Sequence, residues 1–241
     1  MVGAIVQARM GSTRLPGKVL LEAAGKTLLE HIVERLHYCK SIGRVVVATT
    51  DNSRDDIIVD LCDKRGIEVF RGSELDVLDR YYQAAQFYGF DVVARITSDC
   101  PLVDPSLTEQ MISFFLDHPS EYDLVTNRHP LTFPDGLDVD VMSIASLAQA
   151  WRNATESHQR EHTIPYFWES GMRVFNFECS ENLFSRHRWT LDYREDYQLI
   201  KTIFENLYVP GYPFSMHEIL AFLESRPQLS AINARHRPNH A

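Results

Sequence analysis

The sequence is poor in the features that mark several protein classes. Its four cysteines, Cys39, Cys62, Cys100 and Cys179, lie too far apart for a C-x-x-C zinc ribbon or a disulfide framework, so reduced thiols in a cytoplasm are expected. No apolar run approaches membrane-spanning length, and the apolar stretch at the amino end, 2–6, stops at Gln7 and Arg9, too short for a signal segment. Basic residues are outnumbered, 24 to 33, for a net charge of −9, which argues against a nucleic acid polymer as the main ligand. Glycine is sparse and falls in neither of two phosphate-binding patterns. Five residues separate Gly11 from Gly17 and Val19 follows Lys18, so this is no Walker loop, and G-x-G-x-x-G does not occur.

What is present fits one domain spanning 1–241. With 241 residues, 44% of them hydrophobic, the chain can bury the core of one α/β domain plus an excursion. Strand patterns at 3–8, 45–48, 67–70 and 92–96 alternate with helical periods at 28–36, 57–61 and 75–88. Thr27 with Glu30 predicts a capping box, and Ser53 with Asp56 a second helix start. Such alternation predicts a doubly wound, mostly parallel sheet, whose ligands bind outside the carboxyl ends of the strands. Beyond Pro105 the pattern loosens into a helix at 107–116, strands at 123–126, 137–142 and 174–177, a helical stretch at 144–151 and a stretch without an assigned period at 158–168. A segment at about 120–185 therefore reads as an insertion that covers the site and serves as a dimerisation surface. Helices at 195–207 and 215–223 close the chain, and the tail after Ser230, with His236, Pro238 and His240, is expected to fray.

The run from Gln7 and Ala8 through Arg9, Gly11, Ser12, Thr13, Arg14 and Gly17 to Lys18 places three cations among glycines and hydroxyl residues. In an acidic chain such a local excess suits a small anion. Glycines let backbone N–H groups approach phosphate oxygens, while Arg14 and Lys18 can neutralise charge on a leaving pyrophosphate.

This run resembles the signature loop of the sugar-acid cytidylyltransferases, the family of CMP-KDO and CMP-sialate synthetases, and is most similar to the branch named after spore-coat polysaccharide biosynthesis proteins. Further matches follow in order: Ala48-Thr49-Thr50-Asp51, Asp79-Arg80, Ser98-Asp99-Cys100-Pro101-Leu102 and Trp189-Thr190-Leu191-Asp192. The resemblance implies a nucleotide-diphospho-sugar transferase-like fold and transfer from CTP to a sugar or sugar acid. It implies that Ala8, Arg9, Gly11, Ser12, Arg14 and Lys18 bind the nucleotide, with Arg14 and Lys18 stabilising charge. It further implies that Asp99 and Asp192 hold Mg²⁺, that Arg71, Asp79 and Arg80 contact base or ribose, and that Arg160, Glu161 and His162 approach the sugar. A homodimer is expected. One departure is Thr190, where the sialate branch has an acid two residues before the final aspartate, which makes the site more KDO-like.

Three rival readings stand beside this one. His158-Gln159-Arg160-Glu161-His162 matches the inverted zinc-protease pattern H-x-x-E-H. Asp138-Val139-Asp140 matches the D-x-D of metal-dependent glycosyltransferases, although strand alternation explains it equally well. A catalytically silent assembly subunit is the third. For Asp192 itself the ordinary reading is a helix N-cap with Glu195 at N3.

Overall fold

Alternate burial decides the sheet. In the computed structural model, which describes residues 1–237, β1 (Val2–Gln7) sends Ala4 and Val6 into one core and Ile5 into the other. β4 (Arg44–Thr50) does likewise, with Val45 and Val47 opposed to Val46 and Ala48, as does β6 (Val92–Thr97), with Ala94 and Ile96 opposed to Val93. Strands buried on both faces need apolar residues at every position, which is why these runs show no polar alternation. Helices α1 (Leu28–Leu36), α2 (Asp56–Arg65), α4 (Pro105–Asp117), α8 (Arg194–Leu207) and α9 (Met216–Glu224) cover the first face. The second is covered by α3 (Val77–Tyr88), α5 (Ile144–Asn153) and α7 (Pro165–Glu169).

Among the described residues the main sheet has seven strands in the order β5-β4-β1-β6-β8-β7-β9, where β5 is Glu68–Gly72, β7 Leu124–Thr126, β8 Asp140–Ser143 and β9 Val174–Asn176. All run parallel except β8, which opposes both neighbours. The chain winds outward from β1 in both directions, so the carboxyl ends of β1 and β6 flank a topological switch point. A short ribbon of β2 (Glu22–Ala23) and β3 (Lys26–Thr27) precedes α1, and α6 (Ser157–His162) and α10 (Pro227–Ser230) are short helices. No helix among the described residues is long and apolar enough to cross a membrane.

Several local expectations change. The Thr27–Glu30 capping box forms, but Ser53 opens a 3-10 turn and α2 begins at Asp56, because Asn52 caps first, its side chain accepting from Arg54 N. Only β8 of the 137–142 run enters the ladder. Before it, Asn127 substitutes for a neighbouring strand, donating to Leu137 O at 2.8 Å and accepting from Val139 N at 3.0 Å. The cap of α8 is Tyr193 with Asp196 at N3, not Asp192 with Glu195. Strands β7, β8 and β9 of the 120–185 segment extend the central sheet, so only α6 is left to reach over the cleft. The tail does not fray through 237: Asn233 is buried and a 3-10 turn spans Ala234–His236. Pro238 and His240 lie outside the described residues.

Candidate active site

The loop after β1 is folded by its own backbone and by a carboxylate from below. Ser12 N and Gly17 N both donate to Met10 O, and Met10 N donates to Asp55 Oδ1 at 2.7 Å. Asp55 is fully buried and also accepts from Thr50 Oγ1, which gives the Thr50 of the Ala48–Asp51 run its role. Gly17 sits at φ 70°, a left-handed turn that an L side chain resists, and it delivers Lys18 into a 3-10 turn pointing inward.

Lys18 is the centre of the site. Its Nζ donates to Leu191 O at 2.7 Å, to Asp192 Oδ1 at 3.0 Å and, more loosely, to Asp99 Oδ2 at 3.4 Å. Arg14 Nη2 reaches the same Asp192 Oδ1 at 2.9 Å. The two aspartates are tied by backbone as well, since Leu191 N donates to Asp99 O at 2.8 Å. Burial by itself pushes the Asp99 carboxyl up. The Lys18 ammonium and a hydrogen bond from Thr97 more than reverse that, leaving it below the usual carboxylate range. A hydrogen bond to Tyr193, with Asp192 behind it, raises the pKa of Arg14 above its ordinary value.

Behind Asp192 stands a second node that the sequence did not announce. Arg188 donates to Asp192 Oδ2 at 3.2 Å, to Asp196 Oδ1 at 3.1 Å and to Asp135 Oδ2 at 2.9 Å. Its only signal was the i,i+4 spacing to Asp192. The 188–192 segment can pass here because Gly136, at φ 106°, has no side chain: a Cβ there would lie 2.4 Å from Thr190 N.

The cleft so framed has a volume of about 410 Å³. Of the residues expected to bind, Ala8, Arg9, Gly11, Ser12, Arg14, Lys18, Arg80 and Asp99 line it, as do Asp192, Glu161 and His162. Gln7, Thr13 and Ser98, which belong to the matched runs but were given no contact of their own, line it too, as do Glu74, Leu75 and Val77, which no motif marked. Arg80 is almost fully buried, its Nη1 donating to Ser73 O at 2.6 Å while its Nε has no protein partner. Gln7 Oε1 is a second buried polar atom without a partner in this wall. Buried groups of this kind are costly unless a ligand or water satisfies them.

Arg71, Asp79 and Arg160 are outside the cleft, and each is committed elsewhere. Arg71 donates to Thr50 O and Asn52 O, both at 3.0 Å, and pairs with Asp56. Asp79 accepts from Trp151 Nε1 at 2.7 Å. Arg160 grips Asp76, the N-cap of α3, and donates to Trp151 O at 2.6 Å, so it braces α6 and faces away from ligand. At the end of α6 the chain makes a tight turn at Thr163, φ 67°, with Ile164 N donating to His162 O at 2.7 Å. This sharp stop leaves Glu161 and His162 at the cleft's edge.

The rival motifs are used otherwise. His158 pairs with Glu169 at 2.9 Å while His162 lines the cleft, so the two histidines do not converge. Asp138 is held by Arg128 at 3.0 Å, and Asp140 by Arg95 at 2.9 Å and Thr126 at 2.6 Å. The D-x-D carboxylates are thus internal counter-ions.

A cytidylyltransferase family model matches residues 3–209. The spore coat polysaccharide biosynthesis protein SpsF of Bacillus subtilis is 36% identical over 211 residues, covering 83% of this chain and 85% of its own. A solved cytidylyltransferase from Leptospira borgpetersenii superposes with a TM-score of 0.89 at 33% identity, covering 95% of each chain. The structure of CMP:2-keto-3-deoxy-manno-octonic acid synthetase complexed with CTP has a TM-score of 0.66 at 17% identity, covering 84% of this chain and 97% of that one, a likeness of fold.

Proposed function

Because the chain belongs to the cytidylyltransferase family, we propose that it couples CTP to a sugar or sugar acid with release of pyrophosphate, for surface polysaccharide or glycan biosynthesis. The observation that carries this is Lys18 Nζ standing between Asp99 Oδ2 and Asp192 Oδ1, the latter shared with Arg14, at the switch point of the sheet. Cations for a triphosphate and carboxylates for a metal meet at one place.

Asp99 and Asp192 fit Mg²⁺: hard carboxylate oxygens, one from each of two loops, already converge on a single positive charge. Held by these two carboxylates, Mg²⁺ would supply the charge neutralisation that lets a triphosphate approach them. The phosphate loop binds the triphosphate through its backbone N–H groups, Arg9 and Ser12. An acceptor hydroxyl then attacks the α-phosphorus of CTP in line, giving up its proton to solvent as the new P–O bond forms, and the bond to the β-phosphate oxygen breaks with its electron pair leaving on pyrophosphate. Arg14 and Lys18 stabilise that departing charge. Arg80 Nε and Gln7 Oε1, both short of partners, offer hydrogen bonds to the nucleoside. Glu161 and His162 face the acceptor. The enzyme is further proposed to work as a cytoplasmic homodimer.

Pyrophosphate release, measured with each of the four ribonucleoside triphosphates against a panel of sugar acids and neutral sugars, tests the reading. Turnover with CTP and at least one sugar is the expected result. Release with a purine nucleotide alone would overturn the CTP assignment.

A further inference from the structure

The last described residues fold back onto the groups that hold the candidate triphosphate site. Asn233 is 1% exposed, and its Nδ2 donates to Arg188 O and to Asp196 Oδ1, both at 2.8 Å. Asp196 in turn accepts from Asp192 N at 3.0 Å and from Arg188, which grips the Asp192 carboxylate. Three residues on, the His236 ring stacks on Tyr193, centroids 3.8 Å apart and planes 6° from parallel. His236 Nε2 is also 3.3 Å from Glu195 Oε2, a carboxylate that Arg235 engages as well. The same Tyr193 lies near the Arg14 guanidinium, 5.4 Å from carbon to ring centroid, and near that of Arg188, at 5.7 Å. Asp192 and Arg14 therefore each have a carboxyl-terminal residue behind them at one remove. Both of those residues lie outside the 3–209 span that the family model matches.

We propose that Asn233 and His236 are positioning residues for the triphosphate site: Asn233 fixes the Arg188–Asp196 node that aims Asp192, and His236 fixes the Tyr193 ring that aims Arg14. Neither touches the cleft. Each acts through one intermediary, as residues behind a metal-binding or charge-stabilising group commonly do. Asn233 is suited to this because a buried amide on two partners is held in one orientation, and removing it leaves the buried Arg188 O without its donor and Asp196 Oδ1 with Arg188 Nε alone. His236 is suited because a stacked ring restrains the tilt of its neighbour. The proposal rests on the reading that Arg14 and Asp192 serve a metal-bound triphosphate.

The test compares the full-length protein with Asn233→Ala, His236→Ala and His236→Phe, measuring CTP affinity with and without Mg²⁺ and the melting temperature. It adds kcat and acceptor KM for the sugar that turns over. Expected is a loss of about three- to tenfold in the Mg²⁺-dependent tightening of CTP and in kcat for His236→Ala, roughly what one aromatic contact supplies. His236→Phe should restore both by keeping the stack, and acceptor KM should stay level. Asn233→Ala should show the same split with a lower melting temperature. If His236→Ala binds CTP and turns over like the parent, the proposal fails, and it fails equally if the loss is not restored by His236→Phe. A parent protein whose CTP affinity ignores Mg²⁺ would overturn the site reading itself. Lys18→Ala, losing activity where His236→Ala does not, would overturn the positioning role alone.

Discussion

Lys18 and Asp192, 174 positions apart, meet at 3.0 Å between Nζ and Oδ1, and that oxygen is shared with Arg14 while its twin accepts from Arg188. One carboxylate thus collects three cations. This concentration of positive charge is tolerable because Asp99, Asp135 and Asp196 surround it. The proposed triphosphate would add its negative charge where these cations point.

Lys18→Ala removes the most buried of the phosphate-loop cations. A fall in kcat of ~10²–10³-fold is expected, the usual loss when one transition-state charge stabiliser is deleted. Steady-state pyrophosphate release by folded protein checks it, and turnover within a few-fold of the parent would exclude Lys18 from the chemistry.

Asp99→Asn and Asp192→Asn should each abolish turnover, while CTP binding without Mg²⁺ stays level or improves because repulsion is relieved. The two should differ in stability. Asp192 answers Lys18, Arg14 and Arg188, whereas Asp99 answers Lys18 alone. Calorimetric melting should therefore show the larger drop for Asp192→Asn.

Arg160 and its neighbours should separate. Arg160→Ala breaks the bond to the α3 cap Asp76 and is expected to cost ~1–2 kcal/mol of stability, a charged hydrogen bond discounted for partial exposure, and to weaken CTP and acceptor alike. Glu161→Ala and His162→Ala should raise acceptor KM and spare CTP affinity. Urea melts combined with KM values for both substrates decide between these patterns.

Acid should destabilise the protein partly through His187. Burial, with Arg186 and Arg237 adding to it, lowers this imidazole from its ordinary value of 6.5 to about 4. The unfolded chain then binds the proton more readily between pH 4 and 6.5, so stability falls as pH drops through that window and is fully retained above it. Melting temperatures from pH 7 to pH 4 should decline less steeply for His187→Asn than for the parent. Parallel curves would show that other groups dominate.

Gly136→Ala tests the passage beneath Asp192. Its Cβ would lie 2.4 Å from Thr190 N and 2.5 Å from Trp189 C, at a φ of 106° that alanine resists. A loss of ~4 kcal/mol or more is expected, in the range reserved for backbone clashes in a core. A variant as stable as the parent would mean that the 188–192 segment can move aside.

The sequence by itself determined the layered architecture and the cation-rich glycine loop at 9–18. Both are written locally: β-branched runs buried on two faces leave no polar alternation, and cations among glycines need no distant partner to be recognised. Tertiary structure alone decided which charges line the cleft. Arg71, Asp79 and Arg160 look as suitable as Arg14 in the string, yet their partners hold them outside the cleft, Arg71 on Asp56, Asp79 on Trp151 and Arg160 on Asp76, whereas the partner of Arg14 is Asp192, itself in the cleft wall. Conversely Asp55, Arg188 and Asn233 carry no motif, and they matter only because folding places them under Met10, Asp192 and Asp196. A side chain's type is a local fact, but whether its charge faces the cleft or a counter-ion outside it depends on neighbours that folding brings from elsewhere in the chain.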